Sequence, residues 1–211
     1  MPSRLAQLAR SGSAPAVEPD ADPAAAVAEI EVCDLCGEPV PPVHRHLVDL
    51  QSRRIMCACQ ACKILFDSDA AGGGHLRLVP DRRRELTDFV LDDAGWAALQ
   101  IPVDMAFFFF NTPAERVIAL YPSPAGPTES QLRLEAWTEL EAANPVLGEL
   151  TPDVEALLIS RARGMHEHWL VPIDDCYQLT GLIRTHWKGL SGGDEVQKQI
   201  DGFFDQLRSR R

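Results

Sequence analysis

The sequence has no long hydrophobic run. Its longest apolar stretches, at residues 105–110 and 117–121, are far shorter than the roughly 20 residues that a membrane-spanning helix needs. The first residues contain two arginines but no continuous apolar segment, which argues against a secretory signal. We therefore expect a cytoplasmic protein without a membrane span.

The chain also has little positive charge. It contains 20 Lys and Arg residues against 31 Asp and Glu residues, which gives a formal net charge of -11. A strongly negative protein is repelled by phosphate backbones at long range. Residues 33–66 carry only four basic residues against three acidic ones, and this excess of positive charge is too small to indicate a nucleic-acid-binding surface. Nucleic acid is therefore not expected as a partner.

Several signatures of enzymes and cofactor proteins are missing. The glycine run at 72–74 is not followed by the Lys and Ser/Thr of a phosphate-binding loop, and no histidine follows either C-x2-C pair as haem attachment requires. Cys176 follows two acidic residues, which raise the pKa of a thiol and weaken a nucleophile. We favour a non-catalytic protein and leave the role of Cys176 open, since three histidines are near it in sequence, at 166, 168 and 186.

Five of the six cysteines lie between positions 33 and 62. Cys33 and Cys36 form one C-x2-C pair, and Cys59 and Cys62 form a second after 22 intervening residues. In a reducing compartment such pairs are more often metal ligands than disulfides. Two facing knuckles complete a tetrahedron of thiolates around Zn2+. Gly37 follows the first pair, at a position where such turns often need the conformational freedom of glycine. These four cysteines are the predicted metal ligands.

Alternatives at this site stay open. Iron in a rubredoxin-like centre is permitted by the same two knuckles, although zinc is favoured. Cys57, His44 or His46 could replace one of the cysteine ligands, because all three lie between or beside the knuckles. A dithiol redox role for Cys59 and Cys62 is a further alternative.

The composition changes along the chain and suggests three regions. Residues 1–29 are rich in Ala, Pro, Ser and Asp and predict a disordered lead-in. Residues 30–70 form the predicted metal-binding module, a small zinc-ribbon or rubredoxin-like knuckle unit, and the glycine run then marks a boundary. Residues 75–211 mix strand and helix patterns. The predicted fold class is α+β, with a mixed, mainly antiparallel sheet, helices and a C-terminal helix.

Individual elements can also be predicted. The segments MAFFFFN and RVIALYP, separated by TPAE, predict a β-hairpin, and the segment around Leu132 and Leu134 predicts a strand that passes into a helix. Asp174 and Asp194 are candidate N-caps of the last two helices. The second of these helices shows the regular apolar stripe of a helix that packs on a core: Val196, Ile200, Phe203, Phe204 and Leu207.

The strings LCGEPVPPVHRHLVDL, CACQACKILF, TPDVEALLISR and HWLVPIDDCYQLTGLIRTHWKGLSGG, followed by a terminal helix, give the chain a family resemblance. After residue 30 it resembles an uncharacterised bacterial family encoded beside high-affinity, oxygen-tolerant nickel-iron hydrogenases. The resemblance implies an accessory factor that acts on hydrogenase subunits or maturation factors through protein contacts. A redox protein that exchanges electrons with a hydrogenase is the alternative that it implies.

Overall fold

A computed structural model describes residues 30–66, 71–189 and 192–210. The predicted lead-in, residues 1–29, lies outside this described part. From Glu31 onward the described chain forms one compact unit. Its strands and α-helices are, in order, β1 (Arg45–Asp49), β2 (Arg54–Ala58), α1 (Gln60–Leu65), β3 (Leu76–Leu78), β4 (Arg84–Glu85), α2 (Asp93–Ala98), β5 (Met105–Asn111), β6 (Arg116–Ser123), β7 (Gly126–Ser130), α3 (Leu134–Ala143), β8 (Glu155–Ser160), β9 (Glu167–Pro172), α4 (Ile173–His186) and α5 (Gly193–Ser209).

A small antiparallel sheet carries the cysteine-bearing segment. Its strand order is β2-β1-β3. Strand β3 comes from the chain after the glycine run, and the run itself lies in a 3-10 turn at Ala71–Gly74. The chain segments on both sides of the predicted boundary therefore contribute to one sheet. The division into domains at 30–70 and 75–211 stays a prediction.

The larger sheet has six strands in the order β4-β9-β8-β5-β6-β7. Each of its strand pairs is antiparallel, and β5 and β6 form the predicted hairpin, with Phe108 opposite Ala119. The predicted α+β class with antiparallel sheets is therefore confirmed.

Helices cover both faces of the larger sheet, which explains the unbroken apolar run in β5. Phe107 and Phe109 pack in the core shared with α4 and α5, whereas Phe108 packs in a second core with α2 and α3. Successive side chains of a strand point to opposite faces, so a strand buried on both sides reads as continuously hydrophobic. Phe108 stacks on Trp137 of α3, with ring centroids 5.4 Å apart.

The small sheet packs against the core that contains α4. Val48 from β1, Leu50 just after it and Val79 just after β3 belong to the same buried cluster as Leu179 of α4 and Phe203 of α5. Their burial removes apolar surface from water and holds β1 beside this helix. The packing matters for the candidate site, because β1 and β2 carry its neighbouring residues.

The two predicted N-caps are each wrong by two residues. Helix α4 begins after Pro172, and α5 begins after Gly192, whose φ of +85° favours glycine. Asp174 and Asp194 lie in the first helical turns instead. Acidic side chains still stabilise a helix there, because the exposed N-H groups give that end a partial positive charge.

The predictions for the other helices have mixed outcomes. Helix α5 is present as predicted, and its apolar stripe is buried except for Ile200, which is partly buried. The strand predicted through Leu132 is wrong, because β7 ends at Ser130 and the Leu132 N-H donates to the Ser130 carbonyl in a tight turn before α3 begins at Leu134. Among the described helices, none is long and apolar enough to cross a bilayer.

Candidate metal centre

The first cysteine pair lies in a tight turn before β1. The Gly37 N-H donates to the Cys33 carbonyl at 2.8 Å, and the Cys33 N-H donates to the Glu38 carbonyl at 2.8 Å. Gly37 has a φ of +76°, in the left-handed region that glycine adopts without strain. The turn therefore depends on the glycine that follows Cys36 in the sequence.

The second pair lies at the start of helix α1. Cys59 is the N-cap residue, and its sulfur accepts a hydrogen bond from the Cys62 N-H at 3.5 Å. The Lys63 N-H donates to the Cys59 carbonyl at 2.8 Å, which completes the first helical turn. Residues three apart on a helical turn lie on one side, so both sulfurs face the same region.

The two knuckles bring four sulfurs together. The Sγ atoms of Cys33, Cys36, Cys59 and Cys62 all lie within 4.8 Å of one another, and those of Cys36 and Cys59 are 3.6 Å apart. A tetrahedral zinc site with bonds of about 2.3 Å separates its sulfurs by about 3.8 Å. All four cysteines are free thiols. The cluster is therefore spaced for one metal ion, and zinc and iron fit it equally well.

Asp34 links the first knuckle to strand β2. Its N-H donates to the Cys57 carbonyl at 2.9 Å, and its Oδ2 accepts from the Cys57 N-H at 2.7 Å. Its Oδ1 accepts from the Arg54 guanidinium at 2.7 Å. Asp34 thus holds the first knuckle against β2. Sequence reasoning missed this role, because a lone aspartate between two cysteines carries no recognisable signal.

The thiols of Cys33 and Cys62 have pKa values that are shifted in opposite directions. Burial alone would raise the pKa of Cys33, but backbone N-H groups of Cys59, Leu35 and Cys36 point at its sulfur and bring the pKa down to about 6. Burial and the neighbouring sulfurs raise the pKa of Cys62 to about 12. One thiolate therefore forms easily and makes the next harder to form. A divalent ion removes this repulsion, because it neutralises thiolates as they bind.

The cluster is buried except at one ligand. Cys33, Cys59 and Cys62 are buried together with Val40, and Leu35 and Phe66 pack around them. Cys36 is exposed. An ion held here would therefore be shielded on three sides and would approach solvent at Cys36.

The three residues considered as replacement ligands lie outside this cluster. His44, His46 and Cys57 form a group of their own on the β1-β2 side, with one ligand atom from each residue within 4.8 Å of the others. Cys57 packs against the edge of the four-cysteine cluster. Burial, and then the charges of Asp34, Glu31 and Cys33, raise the pKa of Cys57.

Of the other candidate residues, Cys176 and His168 lie in the core, whereas His166 is exposed and His186 is half-buried. Cys176 is fully buried in α4, and its burial, with the charges of Asp175 and Asp174, raises the pKa of its thiol well above the usual value. His168 is buried and stacks on Phe89, with ring centroids 4.7 Å apart. These environments are typical of core packing residues.

The fold and the cluster define an α+β protein with antiparallel sheets and a four-cysteine centre able to hold a metal ion. Residues 32–211 match the family described as a family of unknown function, DUF5947. The chain belongs to this family. No match was found among curated proteins or among solved structures.

Proposed function

We propose that the four-cysteine cluster holds one structural Zn2+ and that the protein is a non-catalytic accessory factor acting through protein contacts in the cytoplasm. The convergence of four sulfurs from two knuckles within 4.8 Å carries the metal part of this proposal. Structural zinc sites have four protein ligands and no open position, which fits two facing C-x2-C pairs. A compact segment with so small an apolar core also benefits from a metal.

A rubredoxin-like iron centre is the second candidate, and the exposure of Cys36 favours it. An exposed ligand sulfur shortens the path for an electron between the metal and a partner. Iron bound by four thiolates is coloured, whereas zinc is not. A visible spectrum therefore separates the two candidates directly.

Metal analysis of the purified full-length protein tests the metal proposal. The wild-type chain should contain colourless zinc, and a Cys33→Ser/Cys62→Ser variant should lose one equivalent per chain. A Cys176→Ala variant is the control, because Cys176 is a free cysteine in the main core and should not affect the zinc content. Charge-transfer bands from iron would favour the electron carrier. An unchanged metal content in the double variant would contradict the proposal.

We propose that the partner is a nickel-iron hydrogenase subunit or one of its maturation factors. The resemblance of the sequence to a family encoded beside such hydrogenases supports this partner. The exposed apolar side chains on the cysteine-bearing segment support a protein contact there, because large exposed apolar groups are common at interaction sites. They are Val32, Val43, Ile64 and Leu65.

Co-purification with hydrogenase subunits and maturation factors expressed in the same cells tests this partner. An Ile64→Glu/Leu65→Glu variant should reduce the co-purified amount at least several-fold. Val90→Glu is the matched control, since Val90 is also an exposed apolar residue but lies outside the cysteine-bearing segment. Hydrogen-oxidising activity that is the same with and without the protein would contradict the assignment.

A further inference from the structure

Two histidines and a cysteine meet on the β1-β2 pair. His46 is directly opposite Cys57 in the antiparallel register, and His44, two residues before His46, projects to the same side. The two imidazole rings are in edge-to-face contact, with centroids 4.7 Å apart. One nitrogen from each ring and the Cys57 sulfur all lie within 4.8 Å of one another.

Hydrogen bonds define which nitrogen of each histidine can bind a metal. The His44 Nδ1 is 2.8 Å from the Pro41 carbonyl oxygen, which can only accept, so this nitrogen carries the proton. The His46 Nδ1 is 2.7 Å from Asp174 Oδ2, a carboxylate oxygen that accepts in the same way. With Nδ1 as the donor, the lone pair that can bind a metal is at Nε2 of each ring. Metal-binding histidines usually donate their second nitrogen to a carbonyl or a carboxylate in this manner.

The His44 Nε2 is a buried polar atom without a hydrogen-bond partner in the described part of the chain. The His44 side chain is only 6% exposed. Buried polar atoms are nearly always paired, because an unpaired one loses its contact with water and gains nothing in return. A cation bound beside the neighbouring imidazole would satisfy this lone pair.

We propose that His44, His46 and Cys57 form a second metal site, separate from the four-cysteine cluster, for a borderline-soft divalent ion of which Zn2+ is the best fit. Two imidazoles and one thiolate are the ligands that such ions prefer, whereas Mg2+ and Ca2+ require oxygen. Binding replaces the thiol proton of Cys57, which is released to solvent.

The second site differs from the first in its openness. It has three protein ligands, so one position of a tetrahedral ion is left for water or an incoming ligand. A cleft of about 290 Å³ lies beside His44 and is lined also by Pro41 and Lys63. The second site is therefore suited to a metal that exchanges.

Asp174 connects this site to the main core. It lies in the first turn of α4, and its carboxylate orients His46 on β1, 128 residues away in sequence. A carboxylate that accepts from a metal-binding imidazole makes the ring a better ligand. Metal at this site would thus strengthen the contact between the small sheet and α4.

Titration with Co2+ tests the second site, with zinc in the four-cysteine cluster measured separately by elemental analysis. Wild-type protein loaded with one zinc should bind one further Co2+ per chain and develop a thiolate-to-cobalt absorption band. His44→Gln/His46→Gln and Cys57→Ser variants should lose this Co2+ and keep the first zinc. The control is His166→Gln, since His166 is exposed and outside the group, and it should bind Co2+ as the wild type does.

Asp174→Asn gives a milder test that keeps all three ligands. It should weaken Co2+ binding about 10- to 100-fold, because the imidazole loses its charged partner. A wild-type chain that takes up no Co2+ beyond its first zinc would overturn the proposal, as would unchanged Co2+ binding in the two-histidine variant. Because zinc and Co2+ are measured independently, failure at the four-cysteine cluster is distinguishable from failure here.

Discussion

Removing the metal from the four-cysteine cluster should open both knuckles and leave the six-stranded sheet folded. In the described chain the apolar core of the cluster is small: apart from the cysteines, Val40 is buried, and Leu35 and Phe66 are partly buried. Burying a valine contributes roughly 1.5–3 kcal/mol. Binding of structural zinc supplies about 10–16 kcal/mol in small zinc domains. The metal is therefore expected to supply most of the local stability of the two knuckles.

Amide hydrogen exchange measures this opening residue by residue. The N-H groups of Cys33, Gly37 and Lys63 donate within the knuckles, and that of Asp34 donates from the first knuckle to β2; all four should be protected only with metal bound. A loss of about 4 kcal/mol of local stability would accelerate their exchange about 1000-fold. Amides of β5 and β8 are the internal reference and should keep their protection. Equal protection of the knuckle amides with and without metal would show that the metal does not stabilise the knuckles.

Two further predictions concern α4 and β9. Arg83→Met should lower the free energy of unfolding in urea by about 3–5 kcal/mol, because it leaves the buried carboxylate of Asp175 without the guanidinium that bonds it at 2.6 and 2.9 Å. Arg116→Met, in an exposed ion pair, should change it by about 1 kcal/mol or less. Burial, and then nearby positive charge, lowers the pKa of His168 to about 4. As the pH falls, the unfolded chain therefore takes up a proton at this residue before the folded chain does. The contribution of His168 to the free energy of unfolding should therefore be full above about pH 6.5 and should be lost as the pH falls towards 4. Urea unfolding at several pH values should show a smaller loss of stability in His168→Phe.

The four-cysteine cluster was predictable because its signal is local. The C-x2-C spacing of Cys33 with Cys36 and of Cys59 with Cys62 by itself indicates a thiolate metal site. Gly37 marks the turn that the first knuckle needs. The β5-β6 hairpin and helix α5 were predictable for the same reason, since hydrophobic periodicity over one segment determines each.

Contacts between distant segments could not be predicted. The sequence shows that His44 and His46 could share a strand face, but only the register of β1 with β2 brings Cys57 opposite His46. Asp174 was interpreted as a helix cap from its neighbours, whereas its carboxylate contacts His46 on β1. Such contacts follow from how the small sheet packs on α4, and a single sequence has no pattern that reports this packing.

X-ray absorption at the zinc edge identifies the ligand atoms of the bound metal directly. The His44→Gln/His46→Gln variant is the suitable sample, because it leaves the four-cysteine cluster as the zinc site. We expect a single shell of four sulfurs at about 2.3 Å with no nitrogen contribution. A shell with mixed nitrogen and sulfur, or a variant that retains no zinc while its sheet remains folded, would contradict the assignment of Cys33, Cys36, Cys59 and Cys62 as the ligands.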